Sequence, residues 1–280
     1  GVACTVRRTE RPGHAAELAA ACVALGVPGA PDAVFPLGGD GTAMEVVGAL
    51  AGTGVPVGVL PGGTGNLVAR TLGIPRDPAR AAELLVAGRT ARVDLGLVRA
   101  DGGPARHFAF AAGVGIDARM IERTPAAWKR RAGVAAYVFA AAGAVLAGER
   151  FAVRVTADGS AWAGEAAAVM VVNFGAVLGD LLHFGPGIAA DDGRLDLCVF
   201  APRSAADAAR ALLRLARRDF RPDPALVYLP GRAFTVAADP PRAAQADGEL
   251  IGATPLAVEV VPLAATFLVP QVHPGRASRA

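Results

Sequence analysis

The chain has 280 residues, 53% of them hydrophobic, and a mean hydropathy of +0.40. That is enough apolar material to bury a sizeable core in one large or two medium domains, and it excludes a disordered chain. The net charge of +3 is carried almost wholly by arginine, with Lys129 the sole lysine, and an aromatic content of 5% without a stacking motif argues against nucleic-acid binding.

From the N-terminus, Val2 to Val6 reads as a strand rather than as the basic and apolar leader of a secreted protein. His14 to Leu25 reads as a helix and Ala33-Val34-Phe35 as a short strand. The next residues are the most informative of the chain: Leu37-Gly38-Gly39-Asp40-Gly41-Thr42, followed by a helix-like segment from Met44 to Leu50. Glycines let a backbone approach an anion without Cβ interference, and the amides of the following helix point at that anion with the helix dipole behind them. The design then repeats. Val55 to Leu60 leads into Pro61-Gly62-Gly63-Thr64-Gly65-Asn66 and a helix-like Leu67 to Leu72. The pair predicts two walls of one nucleotide site. With Pro78 to Ala87 as a further helix, the first hundred residues alternate as a parallel α/β layer requires.

After Arg99 the pattern changes. His107 to Gly115, Phe151 to Ala157, Ala166 to Asn173, Leu195 to Phe200, Ala233 to Ala237, Leu256 to Val261 and Thr266 to Val269 read as strands separated by turn residues. They predict a mostly antiparallel, β-rich second domain with helical insertions. The expected domains are residues 1–100 and 101–270, with the C-terminal strand able to return to the first, and a tail over 271–280. Ala132 to Gly148 is too short and too rich in Ala and Gly for the ~20 strongly apolar residues of a membrane span. It reads as an interior or domain-surface helix, with lining of an acyl-chain entrance as the sharper alternative. Arg210, Arg214, Arg217 and Arg221 recur at helical spacing and predict a basic face, either solvated or in contact with anionic headgroups. Cys4, Cys22 and Cys198 lie in apolar surroundings and read as buried free thiols of a reducing compartment. The histidines His14, His107, His183 and His273 show no zinc spacing.

The two glycine turns resemble those of the diacylglycerol kinase-like lipid kinases, a family that includes sphingoid-base kinases and is distantly related to NAD kinases and phosphofructokinases. The likeness continues in family order through Thr9, Val93-Asp94-Leu95-Gly96, Gly113-Val114-Gly115-Ile116-Asp117, Asn173-Phe174-Gly175, Asp191-Asp192-Gly193-Arg194-Leu195-Asp196 and Gln245-Ala246-Asp247-Gly248-Glu249. It implies a phosphofructokinase/NAD-kinase-like α/β nucleotide-binding domain followed by the β-rich domain, here as the lipid-substrate domain. Relatives begin one strand earlier, with an Asn-Pro turn that helps close the nucleotide site. The expectation is therefore a trimmed sequence or a lost strand, which bears on full kinase activity. Met44 replaces the usual Asn before Glu45, and Leu67 replaces a common Asp after Asn66.

Phosphoryl transfer asks a protein to hold the donor phosphates and Mg²⁺, align an acceptor hydroxyl and remove its proton. The resemblance implies that Gly38, Gly39, Asp40, Gly41, Thr42, Ala43, Met44 and Thr64 hold ATP, with Thr9 touching it from the edge and Asn66 capping a helix or fixing the turn. Asp40 binds the nucleotide-associated Mg²⁺ through water or orients the acceptor, or else caps a helix. Glu249 is the expected proton acceptor, with Asp247 its partner or substitute, unless the two acids only make a hairpin turn. Asp94 supports Mg²⁺ or the acceptor, or ends a strand. A structural Mg²⁺ is implied at Ala189, Asp192 and Arg194, where Ala189 and Arg194 offer only carbonyl oxygen. The activity expected is ATP-dependent phosphorylation of a hydroxyl of diacylglycerol or a similar lipid. The alternatives are a non-catalytic lipid- or nucleotide-binding module and an NAD-kinase-like phosphotransferase on a soluble substrate. The partners expected are the lipid and an anionic membrane surface touched peripherally from the cytoplasm, with a homodimer as an open alternative and no nucleic acid.

Overall fold

Helix α1 (His14–Cys22) starts behind Gly13, whose φ of 82° favours glycine, and it buries Ala15 and Ala19. The computed structural model describes residues 2–23, 30–115, 150–177 and 182–271. The expected helix over Ala132 to Gly148, the Ile116-Asp117 pair, the end of the helix expected to reach Leu25, and the tail beyond Gln271 lie outside them. The chain divides into two units: one runs to Val93 and takes the chain up again at Leu263, and the other is Asp94–Pro262.

In the first unit, β1 (Leu37–Gly38) lies parallel to β2 (Leu60–Pro61). Val57 bridges in parallel to Val34 on one side and to Phe267 on the other, so the C-terminal segment joins this layer. Val57 and Phe267 are 2% and 0% exposed and centre the unit's core. Helix α2 (Asp40–Ala49) covers it with Ala43, Val46 and Val47, and the short α3 (Leu67–Thr71) buries Val68 and Ala69. Helix α4 (Pro78–Val86) begins as its sequence dictates. Pro78 takes the first turn, where a missing N–H costs nothing, and the Asp77 carboxylate accepts the N–H of Arg80 at 3.0 Å. One expectation fails in this unit. Val2 to Val6 forms no strand, and Val2 and Val6 are 73% and 78% exposed, because no neighbour among the described residues supplies a ladder for them.

The second unit is built from two antiparallel sheets. The long strands β3 (Arg89–Ala100) and β16 (Leu256–Val269) bring the chain into this unit and out of it. Between them come β4 (Arg106–Phe108), β5 (Ala111–Gly115), β6 (Phe151–Ala157), β7 (Ser160–Ala166) and β8 (Ala168–Val172). A small ribbon, β9 (Ala176–Val177) and β10 (Leu182–His183), precedes β11 (Leu195–Phe200) and helix α5 (Ala205–Ala216). Strands β12 (Leu226–Gly231), β13 (Ala233–Asp239), β14 (Ala243–Ala246) and β15 (Glu249–Ala253) complete it. The sheet orders are β12-β11-β8-β5-β14-β15 and β4-β3-β16-β13-β6-β7.

Alternation explains the packing. In β6 and β13 every second residue is buried, and Val153, Val155, Phe234 and Val236 meet Val169, Val171, Leu197 and Val199 of the other sheet in one core. Gly96 faces Phe108 across β3 and β4, where a Cβ would come within 2.0 Å of the ring. The glycine of the Val93-Asp94-Leu95-Gly96 motif is therefore a packing requirement. On the outer face of the first sheet, α5 lays Ala208, Ala211 and Leu215 against Ala168, Phe200 and Leu226.

The cysteines need a correction. Only Cys198 is buried, with its thiol pushed up to about 12 by desolvation, whereas Cys22 is half-buried and Cys4 exposed. Cys4 belongs to the same N-terminal stretch that forms no strand.

Candidate functional site

The two glycine turns of the first unit are built as one object. Gly62 donates its N–H to the carbonyl of Gly38 at 2.8 Å, continuing the β1–β2 pairing past the strand ends. A Cβ on Gly63 would lie 2.6 Å from the Cα of Gly39, and one on Gly62 would lie 3.0 Å from the N of Gly38. The turns are thus in backbone contact, which only glycine permits. Gly39 itself is different: it sits in extended conformation, and its Cβ would meet nothing closer than the Gly63 Cα at 3.7 Å. Neither its own backbone nor the fold demands glycine there.

Helix α2 begins earlier than the hydrophobic pattern suggests. Gly39 is its N-cap, and the N–H of Ala43 is the first to reach back, to the Gly39 carbonyl at 3.1 Å. Asp40, Gly41 and Thr42 therefore form the first turn, whose amides have no intrahelical acceptor. Asp40 is not the cap of its own helix. Its Oδ1 accepts the N–H of Val68 at 3.2 Å, tying the start of α3 to the start of α2, and its Oδ2 would lie 2.9 Å from a Cβ on Gly65. Asn66 closes the second turn on itself, with Oδ1 accepting from the Gly63 N–H at 2.9 Å and Nδ2 donating to the Gly63 carbonyl at 2.7 Å. Of the two roles open to Asn66, fixing the turn is the one seen; its side chain caps no helix. Thr64 lies on the exposed tip of this turn, and Met44 is half-buried on α2. Thr9 lies in exposed chain just before α1.

Glu45 was not singled out from the sequence, yet it matters here. From α2 its carboxylate accepts the N–H groups of Gly13 at 2.8 Å and Ala15 at 3.1 Å, supplying the N-terminal cap that α1 lacks. Its partners lie 30 and 32 residues away, so no local spacing announces them.

In the second unit, the remaining motifs converge on the corner Ala109–Ala111. Asp247 heads the β14–β15 turn at φ 48° with Gly248 at φ 89°, and its carboxylate accepts the N–H groups of Ala109, Phe110 and Ala111 at 2.7, 2.9 and 3.0 Å. Asn173, fully buried, donates to the carbonyls of Ala109 at 2.9 Å and Asp94 at 2.7 Å. Asp94 is also fully buried and accepts the N–H of Gly193 at 2.7 Å, holding the Asp191–Asp196 loop. These acids act first as backbone clamps. Glu249, by contrast, opens β15 with its side chain 57% exposed and the guanidinium of Arg106 3.8 Å away. Two residues separate an anchored carboxylate from an accessible one.

In the loop that Asp94 holds, Asp192 is exposed and accepts the N–H of Arg194 at 2.9 Å, and Ala189 is half-buried. No group of three His, Cys, Asp or Glu side chains able to hold a metal occurs among the described residues. Burial and the neighbouring charge of Asp192 push the Asp196 carboxyl up to about 6, against the opposing pull of Arg194.

The arginine face also differs from expectation. Helix α5 ends at Ala216, so Arg221 lies past it in a returning loop. Arg210 and Arg214 both bind Asp223, which is 2% exposed, at 3.2 and 2.7 Å; Arg210 also binds Asp207, while Arg214 and Arg221 share Asp219. Acids beyond the helix neutralise most of the stripe.

Comparison with known proteins agrees with these two architectures. Residues 1–98 match the diacylglycerol kinase catalytic domain, and residues 111–269 match the YegS C-terminal NAD kinase beta sandwich-like domain. The chain belongs to the diacylglycerol kinase-like lipid kinase family. Among curated proteins it is 30% identical over 237 residues to the uncharacterized protein sll0036 of Synechocystis sp., covering 83% of this chain and 54% of that one. It is 41% identical over 110 residues to the diacylglycerol kinase of Mycobacterium tuberculosis, covering 39% of this chain and 34% of that protein. The chain thus spans about half and about a third of these two relatives. A crystal structure of a diacylglycerol kinase from Bacillus anthracis shares the fold, with a TM-score of 0.69 at 23% identity over 93% of this chain and 83% of that one.

Proposed function

We propose that the chain is an ATP-dependent lipid kinase that transfers the γ-phosphate to a hydroxyl of diacylglycerol or a similar lipid. The observation that carries this reading is the fused pair of glycine turns at the start of α2. Gly39, which neither its own backbone angles nor packing requires to be glycine, leaves the approach to the free first-turn amides clear. The amides of Asp40, Gly41 and Thr42 bind the donor phosphates, and Gly38, Ala43, Met44, Thr64 and Thr9 frame the nucleotide. Asp40 serves twice: Oδ1 fixes α3, and Oδ2, which takes no hydrogen bond among the described residues, meets the water shell of the nucleotide's Mg²⁺.

Glu249 takes the proton of the acceptor hydroxyl. Asp247 has its oxygens occupied by three backbone donors, so its part is to place Glu249 rather than to replace it. Bound Mg²⁺ would neutralise charge developing on the transferring phosphoryl group. A structural Mg²⁺ fits the loop that Asp94 holds: one carboxylate from Asp192 and carbonyls from Ala189 and Arg194 make a water-rich oxygen shell of the kind Mg²⁺ tolerates.

The acceptor is met at a membrane interface on the cytoplasmic side, where ATP is available. No helix among the described residues is long and apolar enough to cross a membrane. The test is a phosphorylation assay with ATP, Mg²⁺ and a panel of lipids, with NAD as a soluble acceptor for comparison. Phosphate on diacylglycerol or a related lipid supports the reading; phosphate on NAD alone, or on no acceptor, sinks it.

A further inference from the structure

Where α5 ends, the chain closes back on the helix through a defined cap. The N–H of Asp219 reaches the carbonyl of Arg214 at 2.9 Å and that of Arg218 reaches Leu215 at 3.3 Å, with Arg218 at φ 56°. This is the paired bonding of a Schellman motif. The loop that follows folds Pro222 and Asp223 against the helix and borders an open surface cavity of about 480 Å³ lined by Arg210, Arg214, Arg217 and Arg221.

The arginines of this wall are of two kinds. Arg214 is a frame element, 16% exposed, with its guanidinium shared between Asp223, Asp219 and the carbonyls of Pro222 and Arg221. Arg210 braces the same buried Asp223 from the other side. Arg221 is 83% exposed and clipped to Asp219 through Nε and Nη2, and its Nη1 is not used in that pair. Arg217, at the helix C-cap, forms no ion pair among the described residues. Against Asp207, Asp219 and Asp223 the four arginines leave one positive charge in excess, presented on a rigid frame.

Leu213 stands in the same wall, 42% exposed. A single exposed leucine is ordinary. The apolar face of α5 is packed against the sheet, but one leucine exposed among guanidinium groups can meet the acyl boundary of a membrane interface while the cations meet the phosphates. A free anion is a poorer fit, because the cavity sits at a helix C-terminus, the negative end of the dipole. A surface carrying many phosphates and an apolar layer overcomes that opposition in a way one small anion does not.

We propose that this cavity is a docking site for the phosphate of an anionic phospholipid in a bilayer. Arg217 and Arg221 donate to the phosphate oxygens, and Leu213 enters the acyl boundary. The inference deepens the lipid-kinase reading and rests on it for the nature of the surface, but its test needs no phosphoryl transfer. The informative substitutions are at the exposed Arg217 and Arg221 rather than at Arg214, whose loss would strand the buried Asp223.

Co-sedimentation with phosphatidylcholine vesicles, with and without phosphatidylglycerol, is the experiment. Wild-type protein should bind only when phosphatidylglycerol is present and should be released by salt. R217Q/R221Q should weaken binding on the order of tenfold, and L213S should weaken it while keeping the salt dependence, each with an unchanged melting temperature. Equal binding to neutral vesicles, or full binding by R217Q/R221Q, overturns the proposal. So does calorimetric binding of inorganic phosphate that R217Q abolishes while vesicles remain unbound. Wild-type protein that binds anionic vesicles yet phosphorylates no lipid would sink the kinase reading and leave this site standing. Phosphorylation of a water-dispersed short-chain acceptor without vesicle binding would do the reverse.

Discussion

Gly39 and Gly63 face each other, but only one of them is needed by the fold. A Cβ on Gly63 collides with backbone at 2.6 Å, whereas a Cβ on Gly39 meets only ordinary contact at 3.7 Å. Gly39→Val should therefore leave the protein folded, at a cost of about 1 kcal/mol for a poor N-cap residue, while abolishing ATP binding by calorimetry. Gly63→Ala should cost about 1–3 kcal/mol of stability through forced backbone displacement. If folded Gly39→Val binds ATP normally, the phosphate-turn assignment is wrong. The acids of the β14–β15 turn separate in the same way. Glu249→Gln should lower kcat by about 10² to 10⁴-fold with ATP affinity and stability intact. Asp247→Asn should lower stability and activity together, because an amide cannot accept from the three N–H groups of Ala109, Phe110 and Ala111 as the carboxylate does. A large kcat loss in a stable Asp247→Asn, with Glu249→Gln fully active, would move the base by two residues. The glycine turns were legible from sequence because glycine carries its own backbone meaning. Asp247 as a clamp was not, since its partners lie 136 to 138 positions away.

At the scale of elements, local pattern and tertiary environment agree where alternation is strong. Phe151–Ala157 and Leu195–Phe200 are strands with the bounds the pattern predicts, the first because every second residue has a core to enter and the second because nearly all of it is buried. Strand β7, by contrast, lies at a sheet edge and buries little of Ser160-Ala161-Trp162-Ala163-Gly164-Glu165, so it leaves no periodic trace. Helix α5 was visible as a stripe of arginines, but the acids that neutralise it stand outside the stripe. Asp223 has a measurable consequence. Its hydrogen bonds from Arg210, with further help from the N–H of Ala225 and from Arg214, hold its carboxyl down at about 2. A depressed folded-state pKa contributes stability that is complete above the ordinary carboxylate range and is lost as pH falls from about 4 through about 2. With the side chain 2% exposed, the effect should be about 2 kcal/mol. Melting curves of wild type should show this loss, and Asp223→Asn should be less stable at neutral pH and flatter over that window. An Asp223→Asn protein with the wild-type acid profile would remove Asp223 from the account.

Across the whole molecule, the sequence pattern announced an α/β part followed by a mostly antiparallel β-rich part, and the family matches name a kinase catalytic domain followed by a beta sandwich-like domain. What it did not announce was how the motifs are spent. Asp94, Asn173 and Asp247 hold backbone in the second unit, and Asp40 and Asn66 hold it in the first, so much of what reads as chemistry is also architecture. That double use explains why the motifs are easy to find and their roles hard to assign: a carboxylate that binds an amide and one that binds a proton look alike in sequence. The central claim is phosphoryl transfer from ATP to a lipid hydroxyl. The most direct measurement is stoichiometric: ATP, Mg²⁺ and diacylglycerol are incubated with the protein, and ADP and phosphorylated lipid are quantified together by mass spectrometry. The account predicts one phosphorylated lipid for each ADP in wild type and neither product above background in Glu249→Gln. ADP formed without phosphorylated lipid, or equal lipid phosphorylation by both proteins, would contradict it.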